Sequence, residues 1–101
     1  MSCDPHHALT QSDDALAVEQ VPLRQIADQF GTPCYVYSMQ TLRTQYQQLA
    51  TALAPIDSKI HYSVKANSNL GILRVFKDLG AGFDIVSGGE LSRVLAVGGD
   101  P

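Results

Sequence analysis

From residue 38 onward, three stretches of the chain space their apolar residues three or four positions apart, which predicts three amphipathic helices. Shorter runs of β-branched and aromatic residues at 34–37, 59–64 and 83–86 precede these helices and predict strands. The apolar helix positions are Leu42, Tyr46, Leu49 and Leu53, then Ile72, Leu73, Phe76 and Leu79, then Leu91, Val94 and Leu95. This alternation predicts parallel strands joined by right-handed crossovers, an α/β fold.

Short polar residues and glycines mark the ends of these elements. Ser38 is placed to cap the first predicted helix, and Ser68 or Asn69 is placed to cap the second. Gly80 follows the second apolar stripe, where a glycine commonly ends a helix. The predicted bounds of the helices therefore rest on capping chemistry as well as on periodicity.

The beginning of the chain has a different pattern. Residues 1–14 are polar and predict an irregular leader. Cys3, His6 and His7 lie close together there, but three possible ligands fall short of the four that a structural zinc ion takes. We therefore expect no metal site.

A short strand is predicted at residues 15–21, followed by a helix that Pro22 opens and Gly31 ends. These elements make residues 15–37 a lead-in segment. Residues 38–101 then form the first strand–helix units of the main domain.

Composition narrows the possible functions. The chain of 101 residues suffices for one small domain, and its net charge of −3 with seven Lys and Arg argues against a nucleic-acid surface. No apolar run reaches the roughly 18 residues of a membrane span. Two cysteines do not make a disulfide framework, so we expect a reduced, cytoplasmic protein.

Lys65 is the first candidate for chemistry, since it follows the strand predicted at 59–64 on the same face as His61 and Ser63. Strands covered by helices are usually apolar on both faces, so this polar face needs a reason. A neutral, desolvated amine at the carboxyl end of a parallel strand can attack an aldehyde. The alternative is a strand-end lysine that reaches solvent. For His61, a buried core histidine is expected.

Asp84 is the second candidate, on the strand predicted at 83–86. Phe83 and Ile85 share one face of that strand, so Asp84 lies on the other. A buried carboxylate needs a partner, and Lys65 or a cofactor amine would supply one. The alternative is an aspartate that faces the surface.

Glu90 is the third candidate, in the sequence Ser87-Gly88-Gly89-Glu90 at the start of the last predicted helix. Ser87 and Glu90 have the spacing of a capping box, in which each side chain accepts a hydrogen bond from the other residue's backbone N–H. A glycine-rich helix start after a parallel strand is also a place where anions bind. The capping box is the preferred interpretation, with Glu90 next to the site.

Four segments between about residue 21 and residue 101 carry a resemblance to a known family. They are 21–23, 30–38, 62–70 with Val64-Lys65-Ala66-Asn67, and 80–91 with Ser87-Gly88-Gly89-Glu90. In this order and spacing, the chain resembles the fold-type III pyridoxal-phosphate decarboxylases, in particular the branch that acts on meso-diaminopimelate. The resemblance implies a partial (β/α)8 TIM barrel of the alanine-racemase-like type, with residues 15–37 on the side of the family's β-domain.

The resemblance also implies roles for the three candidates. Lys65 would bind pyridoxal 5'-phosphate as an imine, and Asp84 and Glu90 match acidic positions that line the cofactor site. The expected reaction is decarboxylation of meso-diaminopimelate to L-lysine and carbon dioxide, in lysine biosynthesis, by a homodimer. The alternatives are an ornithine or arginine decarboxylase of the same fold, or a non-catalytic fragment that docks on another barrel chain.

Two or three strands cannot close a barrel of eight strand–helix units, which takes about 250 residues. The last predicted strand would be left with an unpaired apolar edge. We therefore expect an N-terminal portion of a larger enzyme, inactive and poorly packed when isolated.

Overall fold

The computed structural model describes residues 9–12 and 15–100. The chain divides into two compact units, one ending at Thr41 and the other beginning at Leu42. The division falls inside a helix, α2 (Met39–Leu53).

The first unit contains a three-stranded antiparallel sheet of β1 (Leu9–Ser12), β2 (Ala15–Val18) and β3 (Val21–Pro22), in that order. The irregular leader predicted for residues 1–14 is therefore wrong over β1. This strand forms because its backbone pairs with β2, and its own polar sequence carries no sign of that pairing. The rest of the predicted leader, including Cys3, His6 and His7, lies outside the described residues.

Helix α1 (Leu23–Phe30) begins and ends as its sequence predicts. Pro22 is the N-cap, where its fixed φ suits the approach to a helix. Gly31 has a φ of 83°, and its N–H donates to the carbonyl of Ala27 at 2.8 Å. Glycine suits this position because residues with a Cβ rarely adopt such a φ.

The strand predicted at residues 34–37 is wrong, because that segment is irregular. A strand needs a neighbour for its backbone hydrogen bonds, and no described strand pairs with this segment. Tyr35 is 90% exposed and stacks on Tyr37 with ring centroids 6.4 Å apart. Ser38 does cap α2 as predicted, since its hydroxyl accepts from the N–H of Thr41 at 3.1 Å.

The second unit is a β–α–β arrangement with one more helix. Strand β4 (His61–Ser63) and strand β5 (Gly82–Asp84) pair in parallel, and α3 (Leu70–Leu79) joins them. A single 3₁₀ turn, Val64–Ala66, follows β4 directly, and α4 (Gly88–Ala96) follows β5. The predicted parallel, helix-connected pair of strands is confirmed.

Both strands of this pair are shorter than predicted. The strand expected over 59–64 stops at Ser63, and the one expected over 83–86 stops at Asp84. Among the described strands, β4 and β5 pair only with each other, so neither strand extends beyond the residues that hydrogen-bond to the other. Val86, expected inside the second strand, is 70% exposed.

The core of the second unit lies between this sheet and its helices. Tyr62, Phe83 and Ile85 pack against a buried cluster made of Val64, Leu73, Val94 and Val97. The Tyr62 ring stacks on Phe76 with centroids 4.4 Å apart and meets Phe83 edge-on at 6.5 Å. One face of the sheet is thus covered by aromatic and aliphatic side chains.

The predicted apolar stripes are partly confirmed. Ile72, Leu73 and Val94 are buried. Leu91 and Leu95 were expected to face inward but are exposed, as is Leu49, because no described element covers them. Val75 was not among the residues predicted to be buried, but it is buried and lies three residues, about one helical turn, after Ile72. Helix α3 is capped by Asn69, whose side chain accepts from Gly71, and Gly80 ends it in the left-handed conformation, as predicted.

Candidate functional site

Lys65 lies in the middle of the 3₁₀ turn, two residues beyond the end of β4. The preceding Val64 is fully buried, and this anchors the turn to the core. The Lys65 side chain is exposed, so the shielding from water expected at a strand end is not provided by the described residues. The position after the carboxyl end of a parallel strand is confirmed.

Asp84 is the last residue of β5 and the register partner of Ser63. Partners in a parallel ladder project to the same face, and the Tyr62–Phe83 pair occupies the face covered by helices. Ser63 and Asp84 therefore lie on the uncovered face. Asp84 is exposed there, so the expected buried carboxylate is wrong, and the surface-facing alternative describes it.

Lys65 and Asp84 do not form an ion pair. Within residues 9–12 and 15–100, the ion pairs are those of Asp78 with Arg74 at 3.6 Å and with Lys77 at 3.7 Å. Both are on the surface, where such pairs add little stability. The Lys65 amine and the Asp84 carboxylate thus remain available on neighbouring strand ends.

Glu90 takes part in the predicted capping arrangement, with one difference. Ser87 is the N-cap of α4, and its hydroxyl accepts from the N–H of Glu90 at 3.1 Å. The Glu90 carboxylate accepts from the N–H of Val86 at 3.1 Å, one residue earlier than a standard capping box has it. Glu90 is half-buried, and its observed contact is structural.

His61 is exposed, so the expected buried histidine is wrong. It pairs in register with Gly82, on the same face of the sheet as Ser63 and Asp84. A Cβ added at Gly82 would lie 2.8 Å from His61 Nδ1 and 3.1 Å from Cγ. The imidazole thus covers the Gly82 backbone.

Two side chains that hold the loop after Lys65 were missed by the reasoning from sequence. The hydroxyl of Tyr62 donates to the carbonyl of Asn67 at 2.8 Å. The guanidinium of Arg93 donates to the carbonyl of Ser68 at 3.3 Å, from 25 residues further along the chain. No local sequence signal identifies a contact over that separation.

The described ranges contain no group of three or more His, Cys, Asp or Glu residues that could hold a metal ion. None of the helices described is long and apolar enough to cross a membrane.

A carboxylate on the uncovered sheet face and an exposed amine just beyond the neighbouring strand lie at the carboxyl ends of parallel strands, the edge at which α/β enzymes bind their ligands. Residues 39–101 match the family described as pyridoxal-dependent decarboxylase, pyridoxal binding domain. The match covers more than half of the chain, and the chain belongs to this family. Its strand–helix units are part of the pyridoxal-phosphate barrel that the sequence predicted.

Curated relatives carry a more particular name. The chain is 57% identical over 89 residues to diaminopimelate decarboxylase of Pseudomonas aeruginosa, an alignment that covers 88% of this chain and 21% of that protein. It is 54% identical over 91 residues to the Vibrio cholerae enzyme of the same name, covering 90% of this chain and 22% of that protein. The chain thus spans about a fifth of the length of the curated relatives it matches.

Solved structures agree. A crystal structure from Aquifex aeolicus superposes with a TM-score of 0.86 at 40% identity, covering 93% of this chain and 23% of that one. The diaminopimelate decarboxylase from M. jannaschii, in complex with L-lysine, superposes with a TM-score of 0.85 at 29% identity over the same shares. The arrangement of β4, α3 and β5 is therefore shared with these two structures.

Proposed function

We propose that this chain supplies the lysine-bearing part of a pyridoxal-phosphate-dependent decarboxylase that converts meso-diaminopimelate to L-lysine and carbon dioxide. The observation that carries the proposal is the place of Lys65. Its exposed side chain follows the carboxyl end of β4, in a chain that belongs to the pyridoxal-dependent decarboxylases.

The residues present suit one end of the cofactor. Pyridoxal phosphate binds covalently through its aldehyde, and Lys65 offers an amine that takes part in no ion pair among the described residues. When the cofactor is bound, the Lys65 amine would hold it by a covalent bond to the aldehyde carbon, with the aldehyde oxygen leaving as water. Asp84 lies on the uncovered face at the neighbouring strand end, and its carboxylate would stabilise positive charge on the cofactor. Glu90 lies in the first turn of the next helix, α4, and would border this edge.

Pyridoxal phosphate supplies an electron-accepting ring, which the loss of carbon dioxide from an amino acid requires. Lys65 would deliver a proton to the substrate's α-carbon after the loss of carbon dioxide. Any shielding of its amine from water must come from groups other than the described residues, because the side chain is exposed among them.

The choice of meso-diaminopimelate rests on the relatives' names and on a structural neighbour that holds L-lysine. An ornithine or arginine decarboxylase of the same fold is the second candidate, since the family description covers pyridoxal-dependent decarboxylases generally. A homodimer in the cytoplasm is part of the same proposal.

A chimera provides the test. This chain replaces the matching segment of the Pseudomonas aeruginosa relative, and the purified chimera is incubated with pyridoxal phosphate and reduced with borohydride. Peptide mapping of the reduced chimera is expected to find the pyridoxyl group on Lys65. The unreduced chimera is expected to release carbon dioxide from meso-diaminopimelate in preference to ornithine or arginine.

Two substitutions sharpen this test. Lys65→Ala is expected to abolish the modification and to lower turnover by at least about a thousandfold, because the covalent attachment is lost. Lys59→Ala removes another lysine, six residues earlier, and is expected to change neither. A folded chimera that carries the label elsewhere would rule out the proposed role of Lys65. A folded chimera without label or turnover would favour the non-catalytic docking function instead.

A further inference from the structure

The backbone around Lys65 is held from both sides. On the amino-terminal side, Val64 is fully buried in the core cluster. On the carboxyl-terminal side, two successive carbonyls accept hydrogen bonds from side chains outside the loop: Asn67 from Tyr62, and Ser68 from Arg93. A lone 3₁₀ turn has poor internal hydrogen-bond geometry, so these outside contacts decide where it sits.

Tyr62 is well suited to hold a fixed distance. Its ring is stacked on Phe76 at 4.4 Å and lies edge-on to Phe83 at 6.5 Å, so the aromatic cluster sets the position of the hydroxyl. The hydroxyl then meets the carbonyl of Asn67 at 2.8 Å, a short and favourable distance. In the sequence, Lys65 lies between Tyr62 and Asn67, so this hydrogen bond closes the backbone segment that carries Lys65.

Arg93 provides a second connection, from a different element. It projects from α4 to the carbonyl of Ser68, which ties the loop after Lys65 to the helix that follows β5. The loop also closes on itself, since the side chain of Asn67 accepts from the N–H of Asn69 at 3.0 Å. Movement of the Lys65 turn away from the strand ends would break both outside contacts.

We propose that Tyr62 and Arg93 are positioning residues for Lys65, which hold its turn so that the amine meets the cofactor's aldehyde at a fixed place. The inference rests on the proposed function. Both residues act through backbone carbonyls of the loop. Hydrogen bonds of this kind contribute modestly, so loss of either is expected to change the measured rates by about three- to tenfold.

Tyr62→Phe removes the hydroxyl and keeps the ring, and Tyr46→Phe is its matched control. Tyr46 packs on the same Phe76, with centroids 6.2 Å apart. In the chimera, Tyr62→Phe is expected to slow the appearance of the absorption band of the lysine-bound cofactor about fivefold. It is also expected to speed amide exchange at residues 66–69 by a similar factor, while Tyr46→Phe leaves both unchanged.

Arg93→Ala tests the second contact. Its expected effects on both rates match those of Tyr62→Phe, and Arg93→Lys is expected to restore part of the loss because it keeps a charged donor. Arg74→Ala, a change at another exposed arginine, is the control. The thermal midpoints of all five variants are expected to agree with that of the parent chimera, so that slower cofactor capture reports on the position of Lys65.

The two proposals fail in different ways. If the parent chimera never binds the cofactor at Lys65, the proposed function is wrong, while amide exchange at residues 66–69 still decides whether Tyr62 and Arg93 hold the loop. If exchange and capture in Tyr62→Phe and Arg93→Ala equal those of the controls, the positioning role is overturned. The exchange measurement uses no cofactor and is made on the chimera.

Discussion

Gly82 and His61 illustrate how one residue restricts its neighbour. The imidazole covers the glycine backbone so closely that any side chain at position 82 must displace it. The same position needs its backbone N–H, which donates to the carbonyl of Ile60 at 2.9 Å and extends the pairing of β4 with β5. The absence of a side chain at Gly82 thus leaves room for the ring, while its backbone N–H supports the pairing of the strands.

Gly82→Ala is expected to destabilise this pair of strands by about 1 kcal/mol, since a ring forced off its favoured rotamer costs roughly 0.5–1.5 kcal/mol. The measurement is amide exchange at position 82 in the chimera. Adding His61→Ala to Gly82→Ala is expected to recover most of the loss. Gly88→Ala, where a Cβ meets nothing within 4 Å, is the control and is expected to be neutral. Equal exchange in the single and double variants would show that the ring does not occupy this place in solution.

Lys65 shows a limit of reasoning about single residues. Alternation along the strand placed it on the face of His61 and Ser63, but the strand ends at Ser63 and a 3₁₀ turn begins. Face alternation applies only while the backbone stays extended. Lys65 was identified from its sequence motif, whereas its backbone conformation depends on how few residues of β4 pair with β5.

At the scale of elements, capping interactions fix where the helices begin. Of the four α-helices within residues 15–100, three start at an oxygen-bearing side chain that accepts from the first turn: Ser38 for α2, Asn69 for α3 and Ser87 for α4. These bonds span two or three residues, so they were visible in the sequence.

Ser87→Ala is expected to destabilise α4 by about 1 kcal/mol, the usual cost of losing an N-cap hydroxyl. The N–H of Glu90 loses its acceptor, and amide exchange in the first turn of α4 is expected to accelerate about fivefold in the chimera. Ser87→Thr keeps a hydroxyl at the cap and serves as the comparison. Unchanged exchange in Ser87→Ala would mean that this cap adds nothing to the helix.

At the scale of the whole molecule, the second unit has more apolar surface than its own elements cover. Its exposed apolar residues include Ile56, Val86, Leu91 and Leu95. Its sheet has two strands among the described residues, which is marginal for independent stability. The matching enzymes are about five times as long as the aligned segment, which leaves ample chain to cover such surface.

The purified 101-residue chain is therefore expected to self-associate and to bind a hydrophobic dye strongly. Sedimentation and dye fluorescence would measure both, with the chimera as the comparison that covers the same surface. A monomeric chain that melts cooperatively and leaves the dye unbound would contradict the expectation. The result of this test does not depend on whether Lys65 binds the cofactor.

Local signals in the sequence determined much of the fold and pointed to Lys65 as the candidate site residue. Helix caps, the turn glycines Gly31 and Gly80, and the motif around Lys65 each depend on residues a few positions apart, so the sequence contains them in full. The parallel pair of strands followed from the order of strand and helix patterns. The family followed from four segments in order, and the comparisons confirm it.

Pairing between distant segments was decided only in three dimensions. Strand β1 forms because its backbone pairs with β2, and residues 34–37 are irregular because no described strand pairs with them. The side chain of Arg93 donates to the carbonyl of Ser68, 25 residues earlier in the chain. The exposure of His61 and Asp84 depends likewise on what covers the open face of the sheet. Such contacts depend on the folded path of the chain, and residue type alone does not specify that path.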